Sequence, residues 1–344
     1  MAYTTINKST DYFNTKLYAG TGSTHNVTGV GFQPDFVWVK DRSNAYDHGL
    51  FDAVRGVTKD LRSNATMAES TNASSLTAFG TDGFTAGSHA IINGNSNNYA
   101  SWNWKAGGTA STNNDGDNAC SLSANATAGF SVSTHTVPDV GAGQYTIGHG
   151  LGKKPKLVIA KHTSQTGSFQ TYFEGIGTEN QQYLKLNDTN ALANHSNLWG
   201  NGMTTSVVGL SNTALTAGTT SVVYAFAEIN GYSKFGSYTA NGNADGGFVY
   251  LGFKPSFLMI KRTDSAAGWI IYDNKREGRN TENDYLLASS SSAEGTNNEI
   301  DLYSNGFKPR EANRNELNVS GGSYIYMAIG QSLVGSNNVP CVAR

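Results

Sequence analysis

One ten-residue pattern recurs three times in this chain, and it limits the possible folds more than any other feature. A glycine leads to a proline three residues on, and a short apolar run after the proline ends in lysine. The copies are Gly31-Phe32-Gln33-Pro34-Asp35-Phe36-Val37-Trp38-Val39-Lys40, Gly152-Lys153-Lys154-Pro155-Lys156-Leu157-Val158-Ile159-Ala160-Lys161 and Gly252-Phe253-Lys254-Pro255-Ser256-Phe257-Leu258-Met259-Ile260-Lys261. Three of the six prolines stand in this element. A pattern placed alike in each third marks a tandem array of one unit. Such units serve binding or building more often than catalysis.

The spacing around the element argues against chance. Seventeen residues after each proline comes an aromatic: Phe51, Tyr172 and Tyr272. Aspartate follows it in the outer copies (Asp52, Asp273), whereas the middle copy has Phe173. A turn pair then recurs at Asp82-Gly83, Asn201-Gly202 and Asn305-Gly306, which puts the glycine 49, 47 and 51 residues after the proline. Each copy closes on a β-rich run: Tyr99 to Trp104, Val222 to Ala227 and Tyr324 to Ile329. Small drifts between constant anchors are what loop insertions between fixed strands produce. The first and third copies are the closer pair, and both place a leucine eight residues before a glutamate (Leu61 to Glu69, Leu286 to Glu294).

The apolar runs are short, rich in β-branched and aromatic residues, and bounded by Gly, Asn, Asp and Ser, which is the strand signature. Both faces of Phe36-Val37-Trp38-Val39 are apolar, as a central strand requires. Each proline opens its strand, where a missing N–H is least disruptive. Long amphipathic helical patterns are scarce. The expected fold is therefore all-β, as three tandem antiparallel β-sandwich modules over 18–108, 109–232 and 233–333. An N-terminal arm (1–17) and a C-terminal tail (334–344) flank them. The stretch Gly107 to Asn118 reads as a loose linker, whereas Ala225 to Tyr238 joins the last two modules without a spacer.

Composition excludes several function classes. Charged residues are 15% of the chain and the net charge is −2, so no basic field exists to hold a nucleic-acid backbone. No apolar run approaches the length of a membrane span. The N-terminus lacks the apolar core of a secretory signal, so synthesis in a cytoplasm without export is expected. Cys120 and Cys341 make no disulfide framework and read as reduced thiols.

Residues of chemically active types have simpler readings. Asp47, Asp52 and Glu69 suggest the paired carboxylates of a glycosidase, but the middle copy lacks the Asp52 counterpart, and pairing with Arg55 and Arg276 explains the acids better. The seven histidines show no metal-ligand spacing and read as surface or hydrogen-bonded loop residues. Asp115-Gly116-Asp117 resembles a calcium-loop fragment without its terminal glutamate. No catalytic residue, cofactor or metal is expected. Among the 37 aromatic residues, Tyr46, Tyr99 and Trp269 are the candidates for exposed rings that stack on a sugar, while Trp38, Trp102 and Trp104 read as core.

Whole blocks of the chain resemble a known group. Ile6 to Thr15, followed by Tyr18-Ala19-Gly20-Thr21-Gly22, is one block. Others are Val30 to Ser43, Ser101 to Gly108, Gly231 to Tyr238, Lys261 to Asp264 and Trp269 to Asp273. Together they resemble a family of virion proteins of marine bacteriophages, many from phages of cyanobacteria and pelagic bacteria, over about residues 5–332. The resemblance implies jelly-roll or lectin-like β-sandwich modules, a structural role often described as tail-fibre-like, and location on the virion. It implies no catalytic residues. The expected partners are other virion proteins of tail or capsid and host surface polysaccharide, with no nucleic acid, no membrane insertion, and a homo-oligomer such as a trimer left open. A capsid decoration or tail adaptor protein is the alternative role, and a polysaccharide depolymerase is the enzymatic one. Specificity is expected where the copies differ, not in the recurring element.

Overall fold

The computed structural model describes residues 4–141, 143–178, 180–277 and 280–335. Cys341 and most of the expected tail (336–344) lie outside the described residues. Twelve strands form the frame: β1 (Phe13–Ala19), β2 (Phe36–Asp41), β3 (Gly49–Asp52), β4 (Asn98–Trp104), β5 (Phe130–Thr136), β6 (Leu157–His162), β7 (Gln170–Phe173), β8 (Thr220–Phe226), β9 (Ser233–Thr239), β10 (Lys254–Arg262), β11 (Trp269–Asp273) and β12 (Ser323–Gln331). The fold is all-β, and the ladders are antiparallel. One strand order occurs three times: β1-β4-β2-β3, β5-β8-β6-β7 and β9-β12-β10-β11. The register of the central pair is also repeated, with Trp38 opposite Trp102, Ile159 opposite Tyr224 and Met259 opposite Met327.

Alternation along these strands serves two buried faces. Val37, Val39 and Tyr99 turn outward into a core beneath the shorter strands His25–Thr28, Leu76–Gly80 and Gly83–Ala86. Phe36, Trp38, Ala100, Trp102 and Trp104 turn inward. The inner faces of the other two sheets do the same, and all three meet in one apolar core that includes Phe130, Ile159, Tyr224 and Phe226 from the second repeat and Phe257, Met259, Ile325 and Met327 from the third. Trp104 sits at the meeting point, 6.3 Å from the Phe226 ring and 5.6 Å from the Phe257 ring.

The repeats also grip one another in cyclic order. A loop from each reaches the end of the neighbour's central strand: Glu69 N–H donates to Thr163 O, Leu192 N–H to Thr263 O and Glu294 N–H to Arg42 O. The recurring lysine lies at these joints. Lys40, Lys161 and Lys261 have no solvent exposure. Each ammonium donates to the carbonyl of the next residue, and Lys161 and Lys261 also donate to Thr66 O and Thr189 O of the adjoining repeat. Burial pushes all three lysines down to about 8.

Two joints add a buried ion pair. Asp52 pairs with Arg55 and Asp273 with Arg276, and both arginines continue to a glutamate, Glu69 or Glu294. The carboxylate oxygen that accepts from the arginine Nε also accepts a donor from the neighbour: the Tyr224 hydroxyl at 2.8 Å for Asp52, and Trp102 Nε1 at 3.1 Å for Asp273. Phe173 stands at the corresponding place in the second repeat, and Met327 of the third repeat takes the strand position held by Tyr224 and Trp102. Acid goes with donor, and ring goes with thioether.

Three expectations are corrected. The N-terminal stretch is not a free arm: β1 pairs along its whole length with β4, and Ile6 and Phe13 lie in the central core. Ser9 N–H and the Asn7 carbonyl are both bonded to the Gln331 side chain. The stretch after Gly107 is not a loose linker, because Ser111–Asn113 pairs with Cys120–Asn125 and a Cβ on Gly116 would lie 2.5 Å from Thr146 O. His135 and His162 are buried within strands rather than in loops or at the surface, whereas His48 and His149 are hydrogen-bonded loop residues as expected.

Candidate functional site

Most aromatic rings are consumed by the two buried faces, which makes the exposed ones informative. Among the described residues, four rings stand among the exposed large apolar side chains, and three of them share one edge of the third repeat: Phe248, Tyr250 and Tyr303, at 48%, 55% and 36% exposure. The fourth is Tyr46.

The recurring turn glycine builds this edge. The strand Val249–Tyr250 pairs with Gly306–Pro309, so that Val249 faces Phe307 and Tyr250 faces Gly306. A Cβ on Gly306 would fall 2.2 Å from Val249 O, hence only glycine lets the two backbones approach. Tyr303 enters from the other side, opposite Gly306. Phe248 and Tyr303 meet edge to face with centroids 5.7 Å apart. Lys234 Nζ lies 5.2 Å over the Tyr250 ring and donates to the Tyr250 carbonyl at 2.8 Å, which holds that ring in place.

A charged rim adjoins the rings. The Tyr303 hydroxyl donates to Asp301 at 3.0 Å. Arg310 bridges Asp301 and Asp245, and Lys308 also pairs with Asp245. Lys308 and its neighbours hold the Asp245 carboxyl below the ordinary carboxylate range, and desolvation together with Asp301 raises the Tyr303 phenol. Flat apolar rings beside paired acids and cations suit a ligand with one C–H face and a fringe of hydroxyl groups. The electron-rich ring face attracts polarised C–H bonds, and the charged groups take or give hydrogen bonds.

Of the three rings singled out by sequence, only Tyr46 is open to solvent. Tyr99 is fully buried: its hydroxyl donates to Ala90 O and accepts from Gly94 N–H, and its ring stacks on Tyr18 at 5.1 Å. Trp269 is buried at the joint of the second and third repeats, where Nε1 donates to Lys185 O at 2.9 Å. A sheet covered on both faces leaves no open side for either ring. Sequence reasoning missed Phe248, Tyr250 and Tyr303. A signal was present, since the equivalent register positions in the first repeat hold Asn26, Thr28 and Gly80.

The other candidates do structural work. Asp47 binds Arg62, and Asp52 and Glu69 hold Arg55. Asp115 accepts from the Asn113 amide and Asp117 from the Thr146 hydroxyl. Among the described residues no group of His, Cys, Asp and Glu is placed to hold a metal ion, and no helix is long and apolar enough to cross a membrane. His48 accepts from Trp38 Nε1 and contacts the Leu287 carbonyl at the joint of the third and first repeats. Cys120 is buried, and burial pushes its thiol up to about 11, far from a reactive thiolate.

No curated protein and no solved structure matches this chain. The model of one family, described as "Domain of unknown function (DUF7483)", matches residues 8–332. The chain belongs to that family.

Proposed function

We propose that this protein is a non-enzymatic virion component, exposed on a phage particle, which binds host surface glycans from a tail fibre or tail appendage. Its body is three copies of one β-sandwich module of jelly-roll or lectin-like type, closed on themselves within a single chain that stands in for a trimer. The observation that carries the binding role is the exposed aromatic edge of Phe248, Tyr250 and Tyr303 with its charged rim. Large rings left in water on a fold that buries most of its aromatic residues suit a recognition surface. The blocks that resemble marine phage virion proteins support the location. Rings that stack on pyranose faces need no catalytic group, and Asp47, Asp52 and Glu69 are tied to arginines.

The test is capture of host envelope polysaccharide by the full chain. Phe248→Ala/Tyr250→Ala should weaken capture on the order of tenfold or more without altering the melting transition. Undiminished capture refutes the aromatic edge as the contact, and release of sugar fragments refutes the non-enzymatic reading.

A second reading, capsid decoration or a tail adaptor, draws on the cyclic grip of the three repeats, which suits a seat of matching symmetry on a shell. Labelled antibody on intact particles separates the two. Label at the tail tip supports adhesion, and uniform label on the head supports decoration.

A further inference from the structure

A cleft of about 290 Å³ opens between the N-terminal segment and the third repeat, away from any role assigned above. Its wall carries Lys8, Lys254 and Lys275 and no carboxylate. Lys8 is engaged with Asp11 at 2.8 Å. Among the described residues Lys254 and Lys275 make no ion pair. Several polar groups around the cleft are spoken for: Gln331 accepts from Ser9 N–H, Asn14 donates to Val30 O and Ser256 to Ile329 O.

Two wall atoms are not. Thr15 Oγ1 and Asn274 Oδ1 are buried without a hydrogen-bond partner, and Thr15 as a residue is only 5% exposed. Unpaired buried polar atoms destabilise a fold, and native proteins retain few unless something completes them. A positive wall with an unused hydroxyl and an unused acceptor is matched by a ligand that carries an anion and hydroxyl groups together.

The geometry points to this cleft as a second saccharide site, selective for an acidic sugar unit, whether a hexuronate or a sulfated hexose. The Lys254 and Lys275 ammonium groups hold the anionic substituent. The Thr15 hydroxyl donates to a sugar oxygen, and a sugar hydroxyl donates to Asn274 Oδ1. This deepens the glycan-binding reading and rests on it. Two sites that both involve the third repeat would let a charged polysaccharide engage the aromatic edge and the cleft at once, which multiplies affinity without new contacts.

Calorimetric titration of the full chain with glucuronate, glucose 6-sulfate, glucose and inorganic sulfate tests the proposal. Both sugar acids should bind, glucose about tenfold more weakly or worse, and added salt should weaken the acids. Lys254→Ala/Lys275→Ala should raise their Kd about tenfold or more, the worth of a charge-assisted hydrogen bond, with the melting transition unchanged. Absence of sugar-acid binding, equal binding of glucose, or full binding by the lysine variant would overturn the proposal. Inorganic sulfate binding as tightly as the sugar acids would overturn its saccharide part. If sugar acids fail while polysaccharide capture still depends on Phe248 and Tyr250, the cleft alone is wrong. If capture ignores those rings while the cleft binds, the aromatic edge alone is wrong.

Discussion

Aromatic rings occupy two opposite settings in this molecule, the central seam and the outer edge of the third repeat. At the seam, Trp104 contacts rings from both other repeats and is 2% exposed. At the edge, Phe248 and Tyr250 are about half exposed and touch few partners. The same edge of the first repeat has one register and different occupants, Asn26, Thr28 and Gly80. The seam is thus filled with apolar side chains from all three repeats, while the edge is free to diverge. What holds the protein together sits on the inner faces of the central sheets, and what distinguishes one repeat from another sits on the shorter strands outside them.

The sharpest way to break this contrast is to damage the seam. Trp104→Ala should cost about 3–5 kcal/mol, since a large buried ring leaves a void that cannot fully collapse. Arg276→Ala should cost a similar ~3–5 kcal/mol, because it strands the fully buried Asp273 carboxylate. Urea midpoints measure both, and a loss near zero at either site would show that the seam is not the support. Acid gives a milder probe. Burial holds His48 at about 3 and His135 and His162 at about 4, below the ordinary value near 6.5. The unfolded chain therefore takes up protons on these rings that the folded one refuses. Stability should rise from about pH 4 to about 6.5 and be lost on acidification through that window. A lower urea midpoint at pH 5 than at pH 7 checks the sign. The edge should be nearly silent in stability: Phe248→Ala should change it by less than about 0.5 kcal/mol. Conversely, Asn26→Phe/Thr28→Tyr/Gly80→Tyr in the first repeat should raise the stoichiometry for an uncharged glycan from about one to about two per chain. If it does not, the charged rim of Asp301 and Arg310, not the rings, makes the site.

Much of the frame is legible in the sequence because it depends on local patterning. Pro34, Pro155 and Pro255 announce the central strands, and the run Tyr99 to Trp104 shows which residues share a face. The pairing of Asp52 with Arg55 and of Asp273 with Arg276 spans three residues, so it can be read from spacing alone. The role of the recurring lysine cannot. Its second acceptors, Thr66 O for Lys161 and Thr189 O for Lys261, come from loops of the adjoining repeat, and no local pattern encodes which loop lies there. Trp269 failed for the same reason, since its acceptor Lys185 O is 84 residues away. The aromatic edge was hidden differently. Phe248-Val249-Tyr250 alternates like a core strand, and periodicity does not reveal that one flank of the sheet ends in water. Aligning the repeats position by position does reveal it, because rings replace Asn26 and Thr28.

The Gln331 side chain accepts from Ser9 N–H and donates to Asn7 O, which brings the two ends of the framework together. A cyclic body whose ends touch has no obligatory starting point. A chain cut between the second and third repeats near Asn230-Gly231, with its old ends joined by a short flexible segment, should build the same body from a reordered gene. The order of the three copies along the polypeptide is then a historical fact about the gene, whereas their order around the ring is fixed by which neighbouring loop each central strand meets.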